Sequence, residues 1–388
     1  MATINSGAET HTKSSAGGVP PDRSTLIREL MGLSWDQEVD QGPDDVEEQD
    51  VSPRPCSPEI LYDADCDRKY AVPDARFDGV MHVFHQKWHG IRTAAGVLPG
   101  RKIGVPQNYQ ARGKDRAALL AKAAEWGARK AVFHGYSPAV EPLLKTFCAE
   151  GIACYLVWHG NLAQLAWRPE VDFFSMAQRA AKRGLFRRAH MLKAGMRAIF
   201  PNSFEPMLVN CPPILKSGRI SPPFSSRPTI ALVPGYVEIR KNVHTSIIGC
   251  ALSSIESVLH YGRIRGDLAV LSRCKRIAYE DHDRHLMLLT QVDATVNVSV
   301  IDCHPMVEME ALAAGAMSVT GPLHLDTLQA HPYTKLSVIE NPFDVEEIAS
   351  RLDFLRQVKA TEVADIVDDY RRAIRLVSME RYAEFLEI

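Results

Sequence analysis

From residue 76 onward, short apolar runs alternate with segments whose apolar positions recur every three or four residues. That alternation predicts strands interleaved with helices. Strands are expected at 79–85, 103–106, 130–134 and 152–158, helices at 116–126 and 139–150, and a turn at 88–93. A second series opens with a strand at 229–234, a turn at 235–239 and a helix start at Arg240-Lys241-Asn242, followed by a strand at 267–271 and a helix at 279–289. Strands and helices alternating at this spacing indicate parallel sheets, so the fold class is α/β with two Rossmann-like domains. The stretch 211–228, rich in Pro and Ser, breaks every periodic pattern around it and is the expected linker. Val363, Ile366, Val367, Tyr370, Ile374 and Val377 mark one face of a long closing helix.

The most informative stretch is 293–321, DATVNVSVIDCHPMVEMEALAAGAMSVTG. Val296, Val298 and Val300 alternate with polar residues, the pattern of a half-buried strand. Pro305 suits a first helical position, the helix runs through Ala314 to Gly315, and the next strand, 316–320, can follow only in parallel. Spaced at about 100° per residue from Met306, Glu310 falls at about 40°, among Met306, Ala313 and Ala314. A carboxylate there has lost much of its water and needs a partner. Asp302 lies in the turn ahead of the helix, where exposed N–H groups favour anions. The two acids frame a cavity at the carboxyl end of a parallel strand, the usual ligand position in α/β sheets. An ordinary β-α-β unit with acids at its helix start is the plainer reading.

Composition changes this picture modestly. The 388 residues have room for two domains plus extra segments, and a net charge of −2 gives no general attraction to nucleic acid or anionic membrane. Eight scattered cysteines read as reduced thiols, and with no signal-like N-terminus and no membrane-length apolar run the expectation is a soluble cytoplasmic protein. Residues 1–75 are dominated by Ser, Thr, Gly, Pro and acids, including 44–50, and are expected to form a disordered tail; 26–33 could make a short amphipathic helix. The remaining boundaries are 76–210 for the first domain, 211–228 for the linker, 229–360 for the second domain and 361–388 for the terminal helix. Arg179, Lys182, Arg183, Arg187, Arg188, Lys193 and Arg197 form a basic segment, read either as a solvated face or as a surface for an anionic acceptor. His82, His85 and His89 have a spacing that suggests zinc, but strand alternation sends the first two to opposite faces. Residues 280–283 read as a helix cap with solvated charge. No G-x-G-x-x-G, Walker A or G-x-S-x-G pattern stands in a suitable place.

Glu310-Ala311-Leu312-Ala313-Ala314-Gly315, with Asp302 eight positions ahead of Glu310, resembles the E-x7-E motif of the retaining GT-B glycosyltransferases of family four. In that family both acids are Glu and the turn contains glycine, where this chain has Asp302 and Cys303-His304-Pro305. The resemblance extends more weakly to His89-Gly90-Ile91-Arg92-Thr93, to the strand-end residues His134 and His159, and to Ser203. It implies two domains facing across a cleft, a nucleotide-diphosphate sugar as donor, and no catalytic metal or resident cofactor. By the same resemblance, Glu310 holds the nucleotide ribose with Met306 beside it, Asp302 holds donor sugar hydroxyls, and Lys241 with Arg240 holds the diphosphate. Tyr236 occupies the family's usual Arg position. Gly90 would let backbone approach the donor phosphate or the acceptor, and His159 would face the transferred sugar. The acceptor, whether glycan, lipid or nucleic acid reached through residues 179–197, stays open, as does a non-catalytic protein that kept the scaffold and binds a nucleotide or a partner.

Overall fold

The computed structural model describes residues 59–388 apart from 64–67, 107–108, 110–111, 161, 167, 217, 236–238 and 263–268. The expectations for 26–33, 44–50 and Tyr236 therefore lie outside the described residues.

The first sheet contains β1 (Leu61–Tyr62), β2 (Val80–His85), β3 (Arg101–Val105), β4 (Lys130–His134), β5 (Ala153–Trp158) and β6 (Arg188–Met191) in the order β1-β3-β2-β4-β5-β6. All pairings are parallel except β1 on β3. The ordered body thus begins before residue 76, where the tail was expected to end. β1 makes an edge strand, and Asp63 anchors it by accepting from Lys102 N at 3.0 Å and Arg101 Nη1 at 2.5 Å. Helices α1 (His89–Val97), α2 (Gly113–Glu125), α3 (Glu141–Ala149) and α4 (Arg168–Lys182) connect the strands. The turn expected at 88–93 is corrected to the start of α1. Arg92 N donates to Trp88 O at 2.7 Å, and Ala94 and Ala95 bury themselves in the first half, which rewards a helix there.

The second sheet has the order β11-β10-β7-β8-β9, all parallel, from β7 (Ile230–Val233), β8 (Ser257–His260), β9 (Cys274–Arg276), β10 (Ala294–Asn297) and β11 (Met317–Thr320). Its helices are α5 (Val243–Leu252), α6 (His282–Leu289) and α7 (Met306–Ala314), followed by α8 (Pro332–Ser337), α9 (Val345–Gln357) and α10 (Ala360–Leu386). Three expectations need correction. The strand expected at 267–271 is displaced to Cys274–Arg276, because Arg273 ends a short helical turn by donating to Ile255 O and Ser253 O. β10 is buried on both faces, as a central strand of a covered parallel sheet must be, and it ends at Asn297, before Val300. Pro305 caps α7 from outside, with ψ at 133°, and the helix begins at Met306. Gly315 closes it in the left-handed region at φ 77°, a conformation that a β-carbon would strain.

Two connections tie the halves. Asp293, fully buried, accepts from Arg219 Nη2 at 3.0 Å, Phe224 N at 2.7 Å and Ile230 N at 2.8 Å, pinning the stretch 211–228 to the root of β7. Helix α10 packs Val363, Val367, Tyr370 and Ile374 into the core and then reaches the first sheet, where Phe385 lies 5.4 Å from the Tyr155 ring and Lys130 Nζ donates to Leu386 O at 2.5 Å. Arg187 and Arg188 both pair with Glu387.

Candidate functional site

Parallel strands point their carboxyl ends one way, and the polar side chains of interest gather at those ends. On the second sheet, the chain after β10 turns through Ser299 and Asp302 before α7 begins, and the turn after β7 carries Arg240 and Lys241. A backbone bond from Val300 N to Arg240 O at 2.9 Å holds these two turns together. Lys241 Nζ donates to Asp302 Oδ2 at 2.6 Å, Ser299 Oγ donates to the same oxygen at 3.1 Å, and Cys303 N donates to Oδ1 at 3.0 Å. Asp302 is only 4% exposed. Burial alone would raise its pKa, but Lys241, with Arg240 and the Cys303 amide, outweighs that and holds the carboxyl below its ordinary value.

Glu310 occupies the buried position expected from the helix spacing, and its partner comes from this chain. His282 Nε2 lies 2.9 Å from Oε1 and His285 Nε2 3.3 Å from Oε2. His285 Nδ1 in turn meets Tyr261 Oη at 2.8 Å. Burial opposes ionisation of Glu310, yet the two imidazoles hold its pKa down at about 2. The reading of 280–283 as a solvated cap is therefore corrected in part. Asp281 does cap α6, accepting from Arg284 N at 2.9 Å, but His282 turns inward. The available signal was the i, i+3 spacing of His282 and His285, which puts both rings on one helix face.

The first sheet contributes from across the cleft. Gly90 is exposed on the first turn of α1 with open space where a β-carbon would stand, while Met306, on the second half, is 8% exposed at the start of α7. His159 follows β5, 8% exposed, with Nε2 2.9 Å from His134 Nδ1. It makes no hydrogen bond or ion pair to Asp302, Glu310 or Lys241 among the described residues. Lys193, placed in the basic segment by its sequence, belongs here as well. Leu192 N donates to Trp158 O at 2.8 Å, which carries the pairing of β5 and β6 to the residue before Lys193, and the Asp302 charge acts on the Lys193 ammonium. Burial is the larger influence and lowers the Lys193 pKa.

The remaining basic residues are spread out. Arg183 pairs with Glu141 at 3.6 Å, and Arg187 and Arg188 hold the end of α10. The histidine spacing H-x2-H-x3-H makes no metal centre. His85 Nε2 meets Ser137 Oγ at 2.8 Å while His82 faces His134, and no group of three metal-binding side chains occurs among the described residues. The six described cysteines are free. None of the described helices is long and apolar enough to cross a membrane.

No protein-family model matches the sequence, and no curated protein matches it. Solved structures do. Sucrose-phosphate synthase from Thermosynechococcus elongatus aligns over 79% of this chain and 98% of its own, with TM-score 0.50 and 13% identity. A UDP-forming α,α-trehalose-phosphate synthase from Burkholderia xenovorans aligns over 80% and 99%, with TM-score 0.47 and 11% identity. The lipopolysaccharide outer core galactosyltransferase WaaB aligns over 80% and 100%, with TM-score 0.49 and 11% identity. At such identity the likeness speaks to fold: two Rossmann-like domains facing across a cleft, the GT-B arrangement.

Proposed function

We propose that this protein is a glycosyltransferase that moves a sugar from a nucleotide-diphosphate sugar to an acceptor with retention of configuration. The observation that carries the reading is the pair of buried, ionised carboxylates, Asp302 and Glu310, at the carboxyl edge of one parallel strand in a GT-B fold, with Lys241 against the first. A carboxylate has about four acceptor positions. His282 and His285 take two on Glu310 and leave two for a ribose diol. Lys241, Arg240 and the backbone at Gly90 hold the diphosphate, and Met306 gives the site an apolar wall. Lys241, 22% exposed, exchanges part of its contact with Asp302 for phosphate oxygens and stabilises the departing charge. Asp302 and His159 take sugar hydroxyls from opposite sides. The leaving phosphate accepts the acceptor's proton, so no separate general base is required. Closure of the halves excludes water and limits hydrolysis.

A second reading has its own support. Glu310 is satisfied by two histidines and Lys241 by Asp302 within the chain, which suits a scaffold that binds a nucleotide or a partner without turnover. Thermal shift with UDP, GDP and ADP on wild type and Glu310→Ala, followed by single-turnover transfer from the UDP-, GDP- and ADP-sugars, separates the two. Stabilisation lost in the variant together with sugar transfer in the wild type supports transfer; stabilisation without turnover supports the second reading. Equal shifts in both proteins sink the assignment of Glu310.

A further inference from the structure

Three buried histidines on neighbouring strands of the first sheet form a hydrogen-bonded chain whose direction the end group dictates. His82 Nε2 lies 2.8 Å from Pro99 O, His82 Nδ1 lies 2.9 Å from His134 Nε2, and His134 Nδ1 lies 2.9 Å from His159 Nε2. The register explains the line. His134 pairs with Phe84, two residues beyond His82, and Val157, which pairs with His134, stands two residues before His159. Each ring is therefore one step nearer the carboxyl edge than the last.

A peptide carbonyl can only accept, so the hydrogen between His82 and Pro99 sits on His82 Nε2. A neutral His82 then has a bare Nδ1, which must accept from His134 Nε2–H. The same step repeated leaves His134 Nδ1 accepting from His159 Nε2–H, and His159 Nδ1 bare. Neutrality follows from the surroundings. The rings are 0%, 1% and 8% exposed, and Lys102, itself buried and donating to Leu98 O at 2.5 Å and Gly100 O at 3.2 Å, places a cation near the inner two. Burial, with that cation, keeps His82 and His134 well below the usual imidazole range, and burial brings His159 to about 3. A chain that ends on a peptide carbonyl cannot pass a proton onward, so its office is orientation.

We propose that His82 and His134 are positioning residues that lock His159 as the Nε2–H tautomer, so that its Nδ1, just past the carboxyl end of β5, is a fixed hydrogen-bond acceptor for a ligand hydroxyl. That the hydroxyl belongs to a sugar rests on the transfer reading; the tautomer does not.

Long-range proton–nitrogen spectra of the imidazoles in the full chain, without ligand, test it. In wild type His159 is expected as neutral Nε2–H from about pH 5 to 8, with that proton protected from exchange. His134→Phe is expected to cut the protection about tenfold or more, on the scale of one hydrogen bond. His82→Asn, whose side-chain oxygen can replace Nδ1 as acceptor, is expected to keep it. A proton on Nδ1 of His159 in wild type, or full protection in His134→Phe, overturns the proposal, and the wild-type spectrum decides even if a variant fails to fold. UDP-, GDP- and ADP-glucose are then added to the same wild-type sample. If none moves the His159 Nδ1 resonance, the transfer reading loses its sugar contact while the lock, measured without ligand, stands.

Discussion

The two sides of helix α7 treat a buried glutamate in opposite ways. Glu310 and Glu308 stand two residues apart, 6% and 2% exposed. On one side His282 and His285 reach Glu310 and hold it ionised, with a pKa of about 2. On the other, Glu308 faces the core. His304 Nε2 is 3.8 Å away, beyond hydrogen-bond distance, because His304 Nδ1 is committed to Asn210 N at 2.8 Å. Burial, with the charge on Asp302 adding to it, pushes Glu308 up to about 8. Desolvation is common to both sites; what differs is that two imidazoles reach Glu310, whereas only the neutral Tyr333 hydroxyl acts against burial at Glu308. The lesson is that a buried carboxylate in this motif is informative as a ligand contact only after its own chain's donors have been located.

The largest expected effect tests that contrast directly. Glu310→Gln removes a charge that two imidazoles need and is expected to cost about 3 kcal/mol at neutral pH. Glu308→Gln replaces an acid that folding must keep protonated with its neutral isostere and is expected to be more stable than wild type at neutral pH, by up to about 3 kcal/mol. Urea denaturation of the two variants side by side checks this, and equal losses would break the comparison.

The pH dependence of stability sharpens it, because the two acids have opposite signs. Glu310, with its pKa lowered on folding, contributes stability that is present above the ordinary carboxylate range and lost as pH falls through that range toward about 2. Glu308, with its pKa raised, contributes stability that is present below the ordinary range and lost as pH rises toward about 8. Glu308→Gln should flatten the decline between the ordinary carboxylate range and about pH 8, and Glu310→Gln the decline below that range, each read from denaturation midpoints against pH.

Smaller effects are expected from charge pairs that water reaches. Asp302→Asn leaves Lys241 without its carboxylate, but at 22% exposure the ammonium recovers water, so a loss of about 1–2 kcal/mol is expected. The measurement is a urea midpoint at low and high salt, and the difference from wild type should shrink with salt. Arg188→Ala frees one tie on the end of α10; with 31% and 30% exposure at the pair, a change of at most about 1 kcal/mol is expected in thermal unfolding.

Much of this molecule was legible along the chain. The strands at Val80–His85, Lys130–His134 and Ala153–Trp158 and the motif helix ending at Gly315 follow from apolar runs and helix punctuation. What failed was short or context-bound. β8 has four residues, too few to show a period, and α1 looks like a turn until the sheet rewards burial of Ala94 and Ala95. At the site, spacing alone placed Glu310 inside and Asp302 ahead of it. His282 was misjudged because a helix cap and a buried donor begin with the same residues. The chain His82–His134–His159 could not be foreseen, since His134 and His159 each look like a strand-end residue and His82 like an inner strand residue.

The amino-acid sequence by itself determined which residues must leave water: periodicity is local, and a carboxylate on an apolar helix face is buried wherever that helix packs. Only the tertiary structure decided what those residues meet. Strand order brought three histidines into line, the turn after β7 put Lys241 on Asp302, and α6 carried two donors to Glu310 and none to Glu308. Hydrogen bonds and charge pairs act over a few ångströms between residues far apart in the chain, so their partners are set by packing and register.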